Sequence, residues 1–140
     1  MKETVGRSVG MLSNLIRRHF STFSFQGTVS GAQGKTLHFI LVRGQECDVF
    51  QKDIEEEYSL RPPTATKLLK DMEKNGLIYR EAVPYDARLK RIVATEKAMQ
   101  YQKLICQSLE ETEDRLTSGI SPQDLAVFFR VINQMIRNMS

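Results

Sequence analysis

Two adjacent stretches decide the fold: Gln51–Gly76, QKDIEEEYSLRPPTATKLLKDMEKNG, and Leu77–Thr95, LIYREAVPYDARLKRIVAT. In the first, Ile54 and Tyr58 stand one helical turn apart in an acidic run that predicts a short helix over 51–59. Arg61-Pro62-Pro63 then opens a second helix, because proline is tolerated in a first turn whose N–H groups have no helical acceptor. Leu68, Leu69 and Met72 form its apolar side, and Gly76 suits the position just past its end. Two short helices joined by a tight turn at Ser59-Leu60-Arg61 make a helix-turn-helix. In the second stretch, 77–81 and 91–94 read as strands around the turn residues Pro84, Tyr85 and Asp86. That is a charged β-hairpin, a wing.

Outward from this centre the chain reads as helical. Val5, Val9, Leu12, Ile16 and Phe20 form one stripe on a helix expected over about 2–23. Ser24–Gly34 reads as a loop, and a second helix follows with Leu37, Phe39, Ile40 and Leu41, ended by Gly44. Cys47–Phe50 reads as extended. Thr95 is a good N-cap for a long helix expected over about 96–116. Ser121 and Pro122 open a last helix, on which Leu125, Phe128, Phe129, Ile132, Met135, Ile136 and Met139 make a heptad-like stripe. The expected fold is mainly α with a small β-hairpin: a single chain, 1–140, with a winged helix-turn-helix lobe at 30–95 and dimerisation helices at 1–23 and 96–140.

Composition narrows the function. The 140 residues are 41% hydrophobic, which suits one modest core. The longest apolar run, Leu37–Val42, is far shorter than a membrane span and is interrupted by His38. Residues 1–10 lack the apolar segment of a signal peptide, so a cytoplasmic location is expected, with no membrane partner. Two cysteines without CxxC spacing and two histidines predict free thiols, no metal site and no cofactor. No nucleophile–base set, phosphate loop or paired carboxylates in an apolar setting are present, so no enzyme is expected. The net charge of +3 is uneven: residues 61–91 carry eight basic and four acidic side chains, and the rest of the chain is close to neutral. A phosphate-binding surface needs such an excess. From charge alone, a solvated basic face is the better account.

In a helix-turn-helix the second helix enters the major groove with its N-terminal residues at the base edges. Here those residues are Arg61, Pro62, Thr64, Ala65, Thr66 and Lys67, with Lys70 one turn on. Arginine can bond guanine, threonine can bond bases or phosphates, and alanine can meet a thymine methyl. Arg88 and Lys90 are placed for the wing to reach backbone or minor groove. The expected partner is double-stranded DNA.

Three stretches, Gln51–Ile54, Thr64–Leu69 and Met72–Ile78, resemble the multiple antibiotic resistance regulator (MarR) family. So does the wing, with Asp86, Arg88, Arg91 and Thr95 at the family's spacing. The sequence departs from the pattern at Ala94, where leucine is usual, at Ala98, where glycine is common, and at Phe50, where a serine or threonine usually caps the short helix. The resemblance implies a homodimeric transcriptional repressor on a pseudo-palindromic operator, with Asp86 and Arg91 orienting the wing. It also implies release by a small aromatic or anionic ligand in a crevice whose candidate lining is Leu12, Ile16, Arg17, His38, Phe39, Met99 and Tyr101. Two other readings fit a winged helix: a protein-interaction module, and a redox sensor acting through Cys47, with Cys106 read as a structural cysteine. Operator, regulated genes and effector identity are not written in the residues.

Overall fold

The computed structural model describes residues 1–21 and 29–140. Residues 24–28 of the loop expected over 24–34, and the last two residues of the expected first helix, lie outside them. Among the described residues there are seven helices and one two-stranded antiparallel sheet: α1 (Val5–Ser21), α2 (Gly31–Arg43), α3 (Gln51–Tyr58), α4 (Pro62–Lys74), β1 (Ile78–Val83), β2 (Asp86–Ala94), α5 (Glu96–Met99), α6 (Gln102–Thr117) and α7 (Pro122–Met139). The chain forms two compact units, Met1–Leu109 and Glu110–Ser140, divided within α6. No helix among the described residues is long and apolar enough to cross a membrane.

In the first unit the core gathers Leu37 and Ile40 of α2, Ile54 of α3, Leu69 and Met72 of α4, the hairpin residues Ile78 and Ile92, and Ala98, Tyr101 and Ile105. α2 starts earlier than expected, at Gly31, because the Ser30 hydroxyl accepts from Gln33 N–H at 3.2 Å and caps it. Gly31 is required there: a Cβ on it would collide with Phe20 Cβ of α1. The N-cap of α3 is Phe50, whose side chain cannot accept a hydrogen bond. Instead the Asp53 carboxylate accepts from Phe50 N–H at 2.9 Å, the return half of a capping box.

The turn between α3 and α4 closes through Ser59, a left-handed residue at φ 51°, and through Leu60 N–H donating to Glu55 O at 2.8 Å. α4 begins at Pro62 and runs to Lys74, with Asn75 as its C-cap and Gly76 just beyond at φ 73°. Its buried side is Ala65, Leu69 and Met72, spaced i, i+4, i+7, with Leu68 half-buried.

The hairpin turn is tighter than expected, and β2 resumes at Asp86 rather than Arg91. The register jumps there: Val83 pairs with Asp86, and Ala82 with Lys90. Ala87, Arg88 and Leu89 are thus extra residues bulged from the ladder at the wing tip. The long helix expected after Thr95 is interrupted. Tyr101 N–H bonds to Ala98 O, three residues back, before Ile105 N–H bonds to Tyr101 O and the four-residue ladder resumes. Ala98, Tyr101 and Ile105 nevertheless all bury against the core.

Val5, Val9 and Leu12 of the α1 stripe are exposed, with Val9 48% accessible, whereas Ile16 and Phe20 are half-buried. In the second unit Ser121 caps α7 through Asp124 N–H at 3.1 Å. No residue of α7 is buried, and Phe128 and Phe129 meet edge to face at 5.4 Å between ring centres.

Candidate nucleic-acid interface

Burial of Ala65, Leu69 and Met72 turns the other side of α4 outward. Arg61, Pro62, Thr64, Lys67 and Lys70 are exposed there, and Lys67 pairs with Asp71 at 3.2 Å. Pro62, Pro63, Thr66, Lys67, Lys70 and Asp71 line a shallow open groove along the helix. Ala65 does not belong to this face. It is 0% exposed and is part of the core-facing stripe, so the expectation that it meets a thymine methyl is corrected. Thr66 is half-buried, and its hydroxyl accepts from Gln51 Nε2 at 2.9 Å. Gln51 also reaches Glu55 and Arg80, and Arg80 Nε meets Glu73 Oε1 at 2.7 Å.

At the wing tip Asp86 holds Arg88. Its Oδ1 accepts from Arg88 N–H at 2.9 Å and from Nε at 3.3 Å. First that backbone bond and then the guanidinium keep the Asp86 carboxyl below its ordinary range. The Arg88 side chain remains 90% exposed, and Lys90 is exposed beside it. Arg91 does not pair with Asp86. It bridges Glu81 Oε1 at 3.0 Å and Asp48 Oδ1 at 3.2 Å, and these carboxylates raise its pKa further. Asp48 Oδ2 accepts from Tyr85 O–H at 3.0 Å as well. Asp86 therefore orients the wing arginine, while Arg91 fastens the hairpin base to the segment before α3. The sequence alone gives no sign of the Gln51–Arg80, Asp48–Tyr85 and Asp48–Arg91 contacts, since these partners lie 29, 37 and 43 positions apart, outside any local pattern.

The residues expected to line a ligand crevice have differing neighbours. Leu12 is exposed, Ile16 is half-buried, and Arg17 bonds Asn14 on its own helix at 3.0 Å. His38 Nδ1 lies 3.6 Å from Cys106 Sγ. Phe39 packs on Tyr58, 6.1 Å between ring centres. Met99 borders an open hollow with the end of α2 and the hairpin. Tyr101 is only 8% exposed and sits in the core, so its expected role as a crevice polar group is corrected. Cys47 is exposed, with Arg43 Nε 3.2 Å from its sulfur.

A helix-turn-helix followed by an antiparallel wing, with cationic side chains exposed on both, defines a winged helix-turn-helix protein. The MarR family model matches residues 28–89. The structure is similar to the transcription regulator MarR from Oenococcus oeni PSU-1, with 28% identity, a TM-score of 0.84, and coverage of 96% of this chain and 99% of that one. It is also similar to MepR of S. aureus in complex with DNA, at 23% identity, TM-score 0.87, covering 98% and 99%. A MarR family transcriptional regulator from Listeria monocytogenes complexed with a 26mer DNA shares the fold at 19% identity, TM-score 0.84, covering 99% and 90%. Residues 28–89 thus match the MarR family model, and the chain is similar in fold to a solved MarR transcription regulator.

Proposed function

We propose that this chain is a transcription regulator of the MarR type, a sequence-specific repressor that binds double-stranded DNA as a homodimer, residues 30–95 reading the DNA and residues 1–23 and 96–140 pairing the subunits. One observation carries the reading: α4 buries Ala65, Leu69 and Met72 and so holds Arg61, Thr64, Lys67 and Lys70 outward, beside a chain whose wing presents Arg88 and Lys90. Two proteins of the same fold hold DNA in their solved structures. Paired recognition helices about one DNA turn apart suit a pseudo-palindrome of roughly 16–20 base pairs. The exposed apolar faces of α1 and α7 supply surface for a two-fold contact. A gel-shift titration with the DNA upstream of the protein's own gene tests the reading. A salt-sensitive, saturable shift that outcompetes random duplex supports it, and equal affinity for both duplexes refutes it.

Release by a small aromatic or anionic ligand belongs to the same proposal, with Leu12, Ile16, Arg17 and His38 as the residues of α1 and α2 open to it. A ligand acts only through different affinity for the two DNA-binding states. Thermal melting against a panel of aromatic acids, followed by gel shift, checks this. Compounds that raise the melting temperature should lower DNA affinity.

A further inference from the structure

Gln51 stands at the start of α3 and touches the recognition helix from behind. Its carboxamide orientation is dictated by partners of single polarity. Nε2 donates to Glu55 Oε2 at 3.1 Å, and a carboxylate only accepts. Oε1 accepts from Arg80 Nη1 at 3.4 Å, and a guanidinium only donates. Glu73 in turn holds Arg80. A flipped carboxamide would set an NH2 against the guanidinium and an oxygen against the carboxylate. The contact with Thr66 therefore runs one way, from Gln51 Nε2 to Thr66 Oγ1 at 2.9 Å; it occupies one of the two hydroxyl lone pairs and leaves the O–H hydrogen to donate elsewhere. Helical threonines often return this hydrogen to the carbonyl four residues back, as Thr36 does to Ala32 at 2.9 Å. At Thr66 the corresponding carbonyl, that of Pro62, faces Gln51 Nε2 instead, at 3.5 Å.

We propose that Gln51 sets the hydrogen-bond polarity of Thr66, so that Thr66 reads DNA as a donor and discriminates against cytosine at the base edge it meets. The inference rests on the DNA-binding reading above. In the major groove guanine, adenine and thymine each offer an acceptor, whereas cytosine offers only its amino donor. Gln51 is a positioning residue that touches no base, and Thr66 is the specificity-determining one.

Selection of duplexes from a library with randomised half-sites, using the full chain, tests the proposal. The wild type should deplete cytosine at one half-site position. Thr66→Val should abolish that depletion, keep the preferences at other positions, and bind the selected site roughly threefold to tenfold more weakly. In Gln51→Glu the carboxylate can only accept. Thr66 must then donate inward and turn its lone pairs to the DNA, so cytosine should become enriched at the same position. Gln51→Met, which bears no new charge, should leave the hydroxyl free to rotate and flatten the preference there. An unchanged profile in Thr66→Val and Gln51→Met overturns the proposal and leaves DNA binding standing. An even loss of enrichment at all positions in Gln51→Met also overturns it, since that marks a merely structural residue. No enrichment by the wild type overturns the DNA-binding reading, and this inference with it.

Discussion

Asp48 and Arg91 stand 43 positions apart, and Arg91 Nη1 donates to Asp48 Oδ1 at 3.2 Å. The second oxygen of the same carboxylate accepts from Tyr85 O–H. One side chain in the segment between α2 and α3 thus ties down both the turn and the returning strand of the wing. Neighbouring Val49 adds a backbone bond, its carbonyl accepting from Ile92 N–H at 2.7 Å.

Asp48→Ala should therefore loosen the wing more than the fold. The pair is about one-third exposed and screened by solvent, so its loss should cost little stability. Affinity for a selected DNA site should fall about tenfold, the lower end of what a DNA-contacting arginine is worth. Urea denaturation and fluorescence anisotropy read the two effects separately. Full DNA affinity in the variant would show that the anchor serves stability alone.

Arg88→Ala should weaken DNA binding by about 1–3 kcal/mol and make its salt dependence less steep. Asp86→Asn should produce a milder loss, because the guanidinium remains but is no longer held. Asp86 also predicts a pH dependence. Its folded pKa lies below the ordinary carboxylate value, so its contribution is fully present above about pH 4. That contribution is lost as pH falls through the lowered value. The difference in urea midpoint between the wild type and Asp86→Asn should accordingly be present at neutral pH and vanish in acid. A difference that persists in acid contradicts the assigned partner.

Gly31→Ala should destabilise the chain by about 1–3 kcal/mol, the usual cost of forcing an extra methyl into a closed contact. The collision is with Phe20 Cβ, which no rotation of the phenyl ring relieves. An unchanged denaturation midpoint would mean that α1 and α2 part readily at this point.

Phe129→Glu and Val9→Glu test subunit pairing. Phe129 is 50% exposed on α7, and Val9 is similarly open on α1. A buried carboxylate is costly in an apolar contact, so each variant should sediment as a monomer at micromolar concentration. The wild type should sediment as a dimer. A monomeric wild type would remove the two-fold reader from the proposed function.

Tyr58 gives a second titration. Burial first, and then the charge of Glu57, push its phenol up to about 12. Its hydroxyl donates to Lys35 O at 3.1 Å. With the folded value above the unfolded value of about 10, its contribution is complete below pH 10 and is lost as pH rises towards 12. Tyr58→Phe should lose about 1 kcal/mol at neutral pH and remove a phenol ionisation near pH 12 from the ultraviolet titration.

Periodicity and punctuation were enough for most of the architecture. Pro62, Gly76, Thr95, Ser121 and Pro122 mark helix ends through backbone chemistry that acts within four residues, and the structure places ends at each of them. The family's wing spacing was equally legible, because Asp86 and Arg88 interact two residues apart. The missed boundaries had causes beyond that range or without a pattern. The bulge at Ala87–Leu89 depends on how β2 registers against β1, and the break after Met99 occurs where Ala98, Tyr101 and Ile105 all bury together.

The division at the candidate site follows the same line. Residue types alone determined that a cationic helix and a cationic wing would follow one another, because charge and helix chemistry are local properties. Tertiary structure decided which of those residues face outward. Ala65 turned into the core because it shares a helical stripe with Leu69 and Met72. Thr66 became a hydrogen-bond acceptor for Gln51, and Arg91 an anchor for Asp48, because packing brought together side chains separated by 15 and 43 positions. A hydrogen bond depends on distance in space, and no spacing along the chain reports that distance once the loop between two residues exceeds a turn.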